Sequence, residues 1–572
     1  MLVPGYQRIL CAAFLATTLS EREFGYVKHP SDEVGPPIVN VKNGTLRGYR
    51  LDQFAEDLFL GVPFAQPPVE SLRFRHSKPI SNGWDGERDA TVRSPSCPGY
   101  AGFDEGLMLG EDCLTLDIVR PSTTTTAGRL PVFVWIYGGG FTAGGSADQR
   151  YNISYLVNGS VAIGKPIIAV SINYRVAGWG FLSSKEVSEA GVSNIGLFDQ
   201  RLALRWIQEN IDAFGGDPDA VTICGESAGG FSVGYHLVGF DGQHDGLFRG
   251  AIMQSGNALG PALNSISEIG LTYQPIYDNI TKSVGCGNDS DSLDCLRRVP
   301  YDELFIALKP FVLTPMIDGH FLSRLPSESY AQDLVADVAI LAGSNTDEGT
   351  ASFFGPRGKL YNDSDVQQFL GEMGTGLENE TVTKLMELYP DDPAQGCPFD
   401  TGSETFEQWG NQYKRGAAIV GDSAIIAGRR FTTQYHSMLP CHKRKPVYSY
   451  RFDQSPWNGV EELVATEAPV YATHYAEICF VFNMEPSASR NNTNWIGPYP
   501  DFYQLSNRMS RAWISFVHDL DPNYEGSTPR WPDYHLGHKN MVFRAGNDYL
   551  ECDDWRAEQL RYWGTIWGKL KT

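Results

Sequence analysis

The sequence predicts an α/β protein with a large, mostly parallel central sheet and helices on both faces. Three observations carry that expectation. Continuous apolar runs recur along the chain, as strands buried on both faces require. Segments with apolar residues at helical spacing separate them, the clearest at residues 197–207. One run, Val221-Thr222-Ile223-Cys224, ends in Gly225-Glu226-Ser227-Ala228-Gly229 ahead of helix-compatible residues. That is how a strand, a tight turn exposing a serine, and a helix read in sequence.

Taken in order, the chain opens with Arg8 and an apolar run at residues 9–16, too short to span a bilayer, then Thr17, Thr18 and Ser20. This pattern predicts an export leader over about residues 1–20, with one domain over 21–572. Residues 38–67 read as short antiparallel strands with turns, and residues 123–126 as a solvated loop. The run at 130–137 is a buried strand ending in Gly138-Gly139-Gly140-Phe141, and 166–174 is a second. After the helix at 197–207, Phe214-Gly215-Gly216-Asp217-Pro218 turns the chain into the strand before Ser227. Further strands are expected at 250–254, 338–342 and 447–452. In such sheets ligands bind beyond the carboxyl ends of the strands. Ser227, the three glycines and the segment after Ala342 all fall there.

Composition narrows the class. With 572 residues and 42% hydrophobic content, a large core is within reach. A net charge of −22 argues against nucleic acid or an anionic membrane as partner. No later run is long and apolar enough for a membrane helix, and the C-terminus carries no anchor or retention signal, so no stable membrane anchoring is expected. Asn43, Asn152, Asn158, Asn279, Asn288, Asn362, Asn379 and Asn491 each begin Asn-x-Ser/Thr, which fits a glycosylated, secreted chain.

Of the ten cysteines, Cys11 leaves with the leader, so at least one remaining thiol is unpaired. Cys97 with Cys113 and Cys286 with Cys295 bracket short loop-like segments and read as disulfides. Cys224 and Cys479 sit in apolar runs and read as buried thiols; Cys397, Cys441 and Cys552 allow one further pair. The chain has no Cys-x-x-Cys, no His-Glu-x-x-His and no Walker-type loop, so neither a metal nor a nucleotide cofactor is signalled.

A serine hydroxyl needs a base to take its proton, a carboxylate to orient that base, and N–H donors for the oxyanion. Residue order leaves the first two roles open. Asp347 and Glu348 compete for the acid, and His436, His442, His474, His518, His535 and His538 all follow it. A wider set of motifs bears on the choice. Phe59-Leu60-Gly61-Val62-Pro63-Phe64-Ala65, Glu111-Asp112-Cys113-Leu114, Tyr137-Gly138-Gly139-Gly140-Phe141, Asp199-Gln200-Arg201, Gln254-Ser255-Gly256, Asp347-Glu348-Gly349 and Trp531-Pro532-x-Tyr534 run the length of the chain. With the serine motif they closely resemble the type-B carboxylesterase/lipase family, the cholinesterase-like α/β-hydrolases, and most of all its secreted fungal members.

That resemblance implies the α/β-hydrolase fold and a triad of Ser227, Glu348 and His474, in the chain order of that fold. It implies oxyanion donors at the backbone N–H groups of Gly139, Gly140 and Ala228, with glycine keeping Cβ atoms out of the space the carbonyl oxygen enters. Glu226, Ser255 and Glu477 match family residues that support the triad through buried hydrogen bonds. Relatives carry Gly-Tyr where this chain has Tyr475-Ala476, and a small residue where it has Phe231. The expected reaction is cofactor-free hydrolysis of a small-molecule ester. The Cys97–Cys113 segment encloses only residues 98–112, short for the flap of the family's lipases, which predicts a carboxylesterase for small to medium esters. A lipase for longer chains and an acyltransferase or esterase for one specialised metabolite share the same machinery. Adhesion proteins of this fold lack the nucleophile, whereas this chain keeps Ser227, Glu348 and His474.

Overall fold

The computed structural model describes residues 35–100, 106–125, 128–260, 263, 272–351, 358–374, 376–457, 471–484 and 496–572. The expected leader lies outside them. Pro37–Thr572 forms one compact unit.

Its strands, in chain order, are β1 (Ile38–Val41), β2 (Gly44–Arg47), β3 (Tyr49–Leu51), β4 (Glu56–Pro63), β5 (Glu87–Asp89), β6 (Thr115–Pro121) and β7 (Leu130–Ile136). They continue as β8 (Ile168–Ile172), β9 (Gly216–Glu226), β10 (Gly250–Gln254), β11 (Ala339–Asn345), β12 (Val447–Phe452), β13 (Lys539–Phe543) and β14 (Tyr549–Cys552). β1, β2 and β5 make a small three-stranded sheet. The remainder make an 11-stranded sheet in the order β14-β13-β12-β11-β10-β9-β7-β8-β6-β4-β3.

From β13 to β8 every neighbouring pair is parallel. Both edges turn antiparallel, through β13/β14 on one side and β8/β6, β6/β4 and β4/β3 on the other. The parallel centre is the expected one, and its strands are apolar because both faces are covered. All side chains of β8, β10 and β11 are buried.

β6 is absent from the sequence reading, and its charges explain why. Leu116, Ile118 and Val119 alternate with Asp117 and Arg120, yet the whole strand is buried. Arg93 meets Asp117 at 2.8 Å and Arg120 meets Asp57 at 3.1 Å. Pairing lets charges enter a core that composition alone would deny them. The helices Ile195–Asn210, Ala228–Val238, Ala427–Met438 and Pro500–Asp519 pack around the sheet. No helix among the described residues is long and apolar enough to cross a membrane.

Candidate active site

The site begins with a turn that has almost no room. β9 ends at Glu226, and the helix Ala228–Val238 starts two residues later. Ser227 bridges them with φ +54° and ψ −123°, a conformation that costs a non-glycine residue about 1–3 kcal/mol. Its N–H donates to the Gln254 carbonyl at 3.0 Å, and its carbonyl accepts from the Phe231 N–H at 2.8 Å. A Cβ on Gly225 would lie 2.3 Å from the Gly229 backbone, and one on Gly229 would lie 2.0 Å from the Ile136 carbonyl oxygen. Glycine is therefore required by the close crossing of strand and helix. Ala228 opens that helix, where N–H groups have no partner within the helix.

Contact separates Glu348 from Asp347. Glu348 Oε2 accepts from His474 Nδ1 at 2.6 Å, and its Oε1 accepts from the Asn345 N–H at 2.7 Å. Asp347 faces the other way. Its carboxylate accepts from the N–H groups of Phe399 (2.9 Å) and Ala472 (3.2 Å) and from the Cys397 thiol (3.6 Å). Burial pushes Asp347 up to about 7. The other five histidines stand elsewhere. His436 is buried, which lowers it to about 4, and His538 stacks on Tyr534. His518 and His535 lie beside Asp519 and Asp533, and His442 is exposed.

His474 Nε2 faces Glu226 Oε1 at 3.2 Å, one residue from Ser227. Glu477 accepts from Asn345 Nδ2 at 2.7 Å and Gln254 Nε2 at 3.2 Å. Burial, then the neighbouring carboxyls, drive Glu226 well above the usual carboxylate range and raise Glu477. Ser255 differs from expectation. Its backbone turns with φ +47° and its N–H donates to Gly343, but its hydroxyl has no hydrogen-bond partner among the described residues. The polar contacts of Glu477 come from Asn345 and Gln254. Gln254 lies in the Gln254-Ser255-Gly256 motif without having been assigned a role, and nothing in the sequence marked Asn345 beyond its place at the end of β11.

Gly138, Gly139 and Gly140 leave the end of β7, the strand paired with β9. Gly139 (φ +100°) closes the turn by accepting N–H bonds from Thr142 and Ala143 at 3.0 and 3.2 Å. A Cβ there would lie 2.4 Å from the Ala143 carbonyl oxygen, so the loop's own backbone also demands glycine. At Gly140 a Cβ would meet only Thr142, at 3.7 Å. The serine, glycine, acid and histidine segments thus leave the carboxyl ends of β9, β7, β11 and β12.

The Phe231 side chain is buried against Gly260, where a Cβ would lie 2.3 Å from its ring. Cys97–Cys113 and Cys286–Cys295 are disulfides. Cys397, Cys441 and Cys552 are all free thiols, Cys397 buried beside Asp347 and the other two exposed, so the further pair does not form among them. Cys224 and Cys479 are buried. Asn158, Asn279, Asn288, Asn362 and Asn379 are exposed, and Asn43 and Asn152 are half-buried. Asn491 lies outside the described residues.

The model of the Carboxylesterase family matches residues 35–563. "Lipase 4" of Diutina rugosa is 37% identical over 90% of this chain and 92% of its own. "Secreted lipase 1" of Botryotinia fuckeliana (strain B05.10) is 34% identical over 98% of each chain. Among solved structures, Aspergillus niger EstA superposes with a TM-score of 0.81 at 25% identity, covering 94% of this chain and 99% of its own. The shared sheet is that of the α/β-hydrolases. With its sequence matched almost end to end, this chain belongs to the carboxylesterase family and is a carboxylic-ester hydrolase.

Proposed function

We propose that the chain is a secreted serine esterase that works through an acyl-enzyme, with Ser227 as nucleophile, His474 as general base and Glu348 as the acid that orients it. The observation that carries this reading is the imidazole held by Glu348 at 2.6 Å on one side, with its other nitrogen turned toward the Glu226–Ser227 turn. His474 Nε2 takes the Ser227 proton as Oγ attacks the ester carbonyl. The oxyanion accepts from the N–H groups of Gly139, Gly140 and Ala228, each worth about 3 kcal/mol of transition-state stabilisation. Collapse expels the alcohol, which receives the proton from His474. Water then attacks the acyl-enzyme by the same route and releases the acid.

The substrates are small to medium esters. Supporting this, the Cys97–Cys113 segment is short and its described part is tied down. The Tyr100 N–H donates to the Thr142 carbonyl at 2.9 Å, and Trp179 Nε1 donates to Tyr100 Oη at 3.0 Å. Residues 101–105 lie outside the described set. A lipase is the second reading, favoured by the names of the Diutina and Botryotinia relatives. Secretion is supported by the Botryotinia relative's name, the two disulfides and the exposed sequons.

A chain-length series of p-nitrophenyl esters, run on the native protein and on Ser227→Ala, tests the reading. The expectation is turnover of short and medium chains that falls at least about 1,000-fold in the variant. A severalfold jump in activity above the micelle-forming concentration would replace the esterase reading with the lipase one. Unchanged turnover by Ser227→Ala would remove the serine mechanism.

A further inference from the structure

The residue next to the proposed base is held in an unusual conformation. Tyr475 has φ +77°, in the left-handed region that favours glycine, although its side chain is large and only 8% exposed. Such a conformation persists only where surrounding contacts over-determine it, and here they can be named. Tyr475 Oη donates to Tyr151 Oη at 2.7 Å. The Arg150 guanidinium lies 5.2 Å from the Tyr475 ring centroid and 5.9 Å from that of Tyr151. Arg150 is fixed in turn by Asp148, with Nε within 2.9 Å of both carboxylate oxygens. Tyr151 packs against Trp135 of β7, ring centroids 5.1 Å apart.

The cluster has two mechanical connections. The Asp148 N–H donates to the Gly145 carbonyl at 3.2 Å, so the turn Gln149–Tyr151 hangs directly from the loop that carries Gly139 and Gly140. At its other end Tyr475 adjoins His474, and the Ala476 N–H returns to the Thr473 carbonyl at 3.1 Å, closing a turn around the histidine. Arg150 is also the cation whose charge opposes the burial of Glu226.

We propose that Tyr475 is a positioning residue: anchored by Tyr151 and Arg150, it holds the backbone at His474 in the bend that sets the imidazole between Glu348 and Glu226. It couples the base to the loop of the proposed oxyanion donors. This rests on the reading of His474 as general base. A glycine at 475 would accept the same backbone angle without strain but would carry no anchor, so it separates the side chain's role from the backbone's.

The test compares kcat and KM for a short p-nitrophenyl ester in Tyr475→Gly, Tyr475→Phe and Arg150→Met, with thermal unfolding to establish the folded fraction and His474→Gln as control. The expected result is a fall in kcat of about tenfold or more in Tyr475→Gly and Arg150→Met, with KM within about twofold of native. Tyr475→Phe keeps the ring over Arg150 and is expected to recover most of the rate. The inference is overturned if folded Tyr475→Gly has native kcat, if its loss is carried by KM, or if Tyr475→Phe is as impaired as Tyr475→Gly. Should Tyr475→Gly fail to fold, Arg150→Met decides by the same criteria. Full activity in His474→Gln would bring down the base assignment and this inference together, whereas an inactive His474→Gln beside native Tyr475 variants would remove this inference alone.

Discussion

Asp347 and Glu348 are adjacent and both buried, yet only Glu348 bonds the imidazole. Replacing Glu348 by Gln would leave the shape and lose the charge that stabilises the imidazolium. The expected fall in kcat is about 1,000- to 10,000-fold. Asp347→Asn, which touches loop N–H groups rather than His474, is expected to lower kcat less than about tenfold. Steady-state kinetics of the two variants check the assignment, and a larger loss in Asp347→Asn would reverse it. The sequence could not separate these acids. They sit on an irregular turn after β11, where side-chain direction follows neither helical nor strand periodicity. Residue order likewise left six histidines open, and what selects His474 is a contact across 126 residues of chain. The cluster around Arg150 was illegible for the same reason, since Asp148, Arg150 and Tyr475 carry no motif and meet only in the fold.

At the level of elements, the turn around Ser227 was the most legible part of the molecule. Its glycines are dictated by a strand and a helix crossing at backbone contact, and that constraint is local. Gly229→Ala would press a methyl into the Ile136 carbonyl, so a destabilisation of about 1–3 kcal/mol or more is expected. Urea unfolding measures it, and native stability would refute the crossing described. β4 makes a different prediction. Glu56 is buried with no cation opposite it among the described residues, and burial raises it from 4.5 to about 8 despite the approach of Ser154 and the Asn158 backbone. Its folded-state pKa lies above its unfolded one, so the native state binds the proton more tightly. The stability associated with that proton is full below about pH 4.5 and is lost as pH rises through about 8. Glu56→Gln is therefore expected to unfold at a higher temperature than the native protein at pH 9, and the advantage should vanish near pH 5. Parallel thermal scans at the two pH values check this; equal midpoints at pH 9 would contradict it. β6 marks the limit of legibility among elements, because paired charges inside a buried strand break the apolar run that pattern reading depends on.

At the scale of the whole molecule, the parallel centre of the sheet explains why distant segments share one site. Parallel strands send all their carboxyl ends to the same edge, and the loops that follow β7, β9, β11 and β12 meet there. That architecture could be read from alternating apolar runs and helices. Of its antiparallel edges, β3 and β4 fall in the stretch that reads as short antiparallel strands, whereas β13 and β14 were missed because they are short. The net charge of −22 is a property of this scale too, and its overall field disfavours the approach of polyanions.

The most direct test of the central claim is covalent labelling of the full chain with an aryl phosphonate, followed by mass spectrometry of its peptides. One phosphonyl adduct per chain is expected, on Ser227, formed as esterase activity disappears and absent from Ser227→Ala. An adduct on another residue, or inactivation without modification of Ser227, would contradict it.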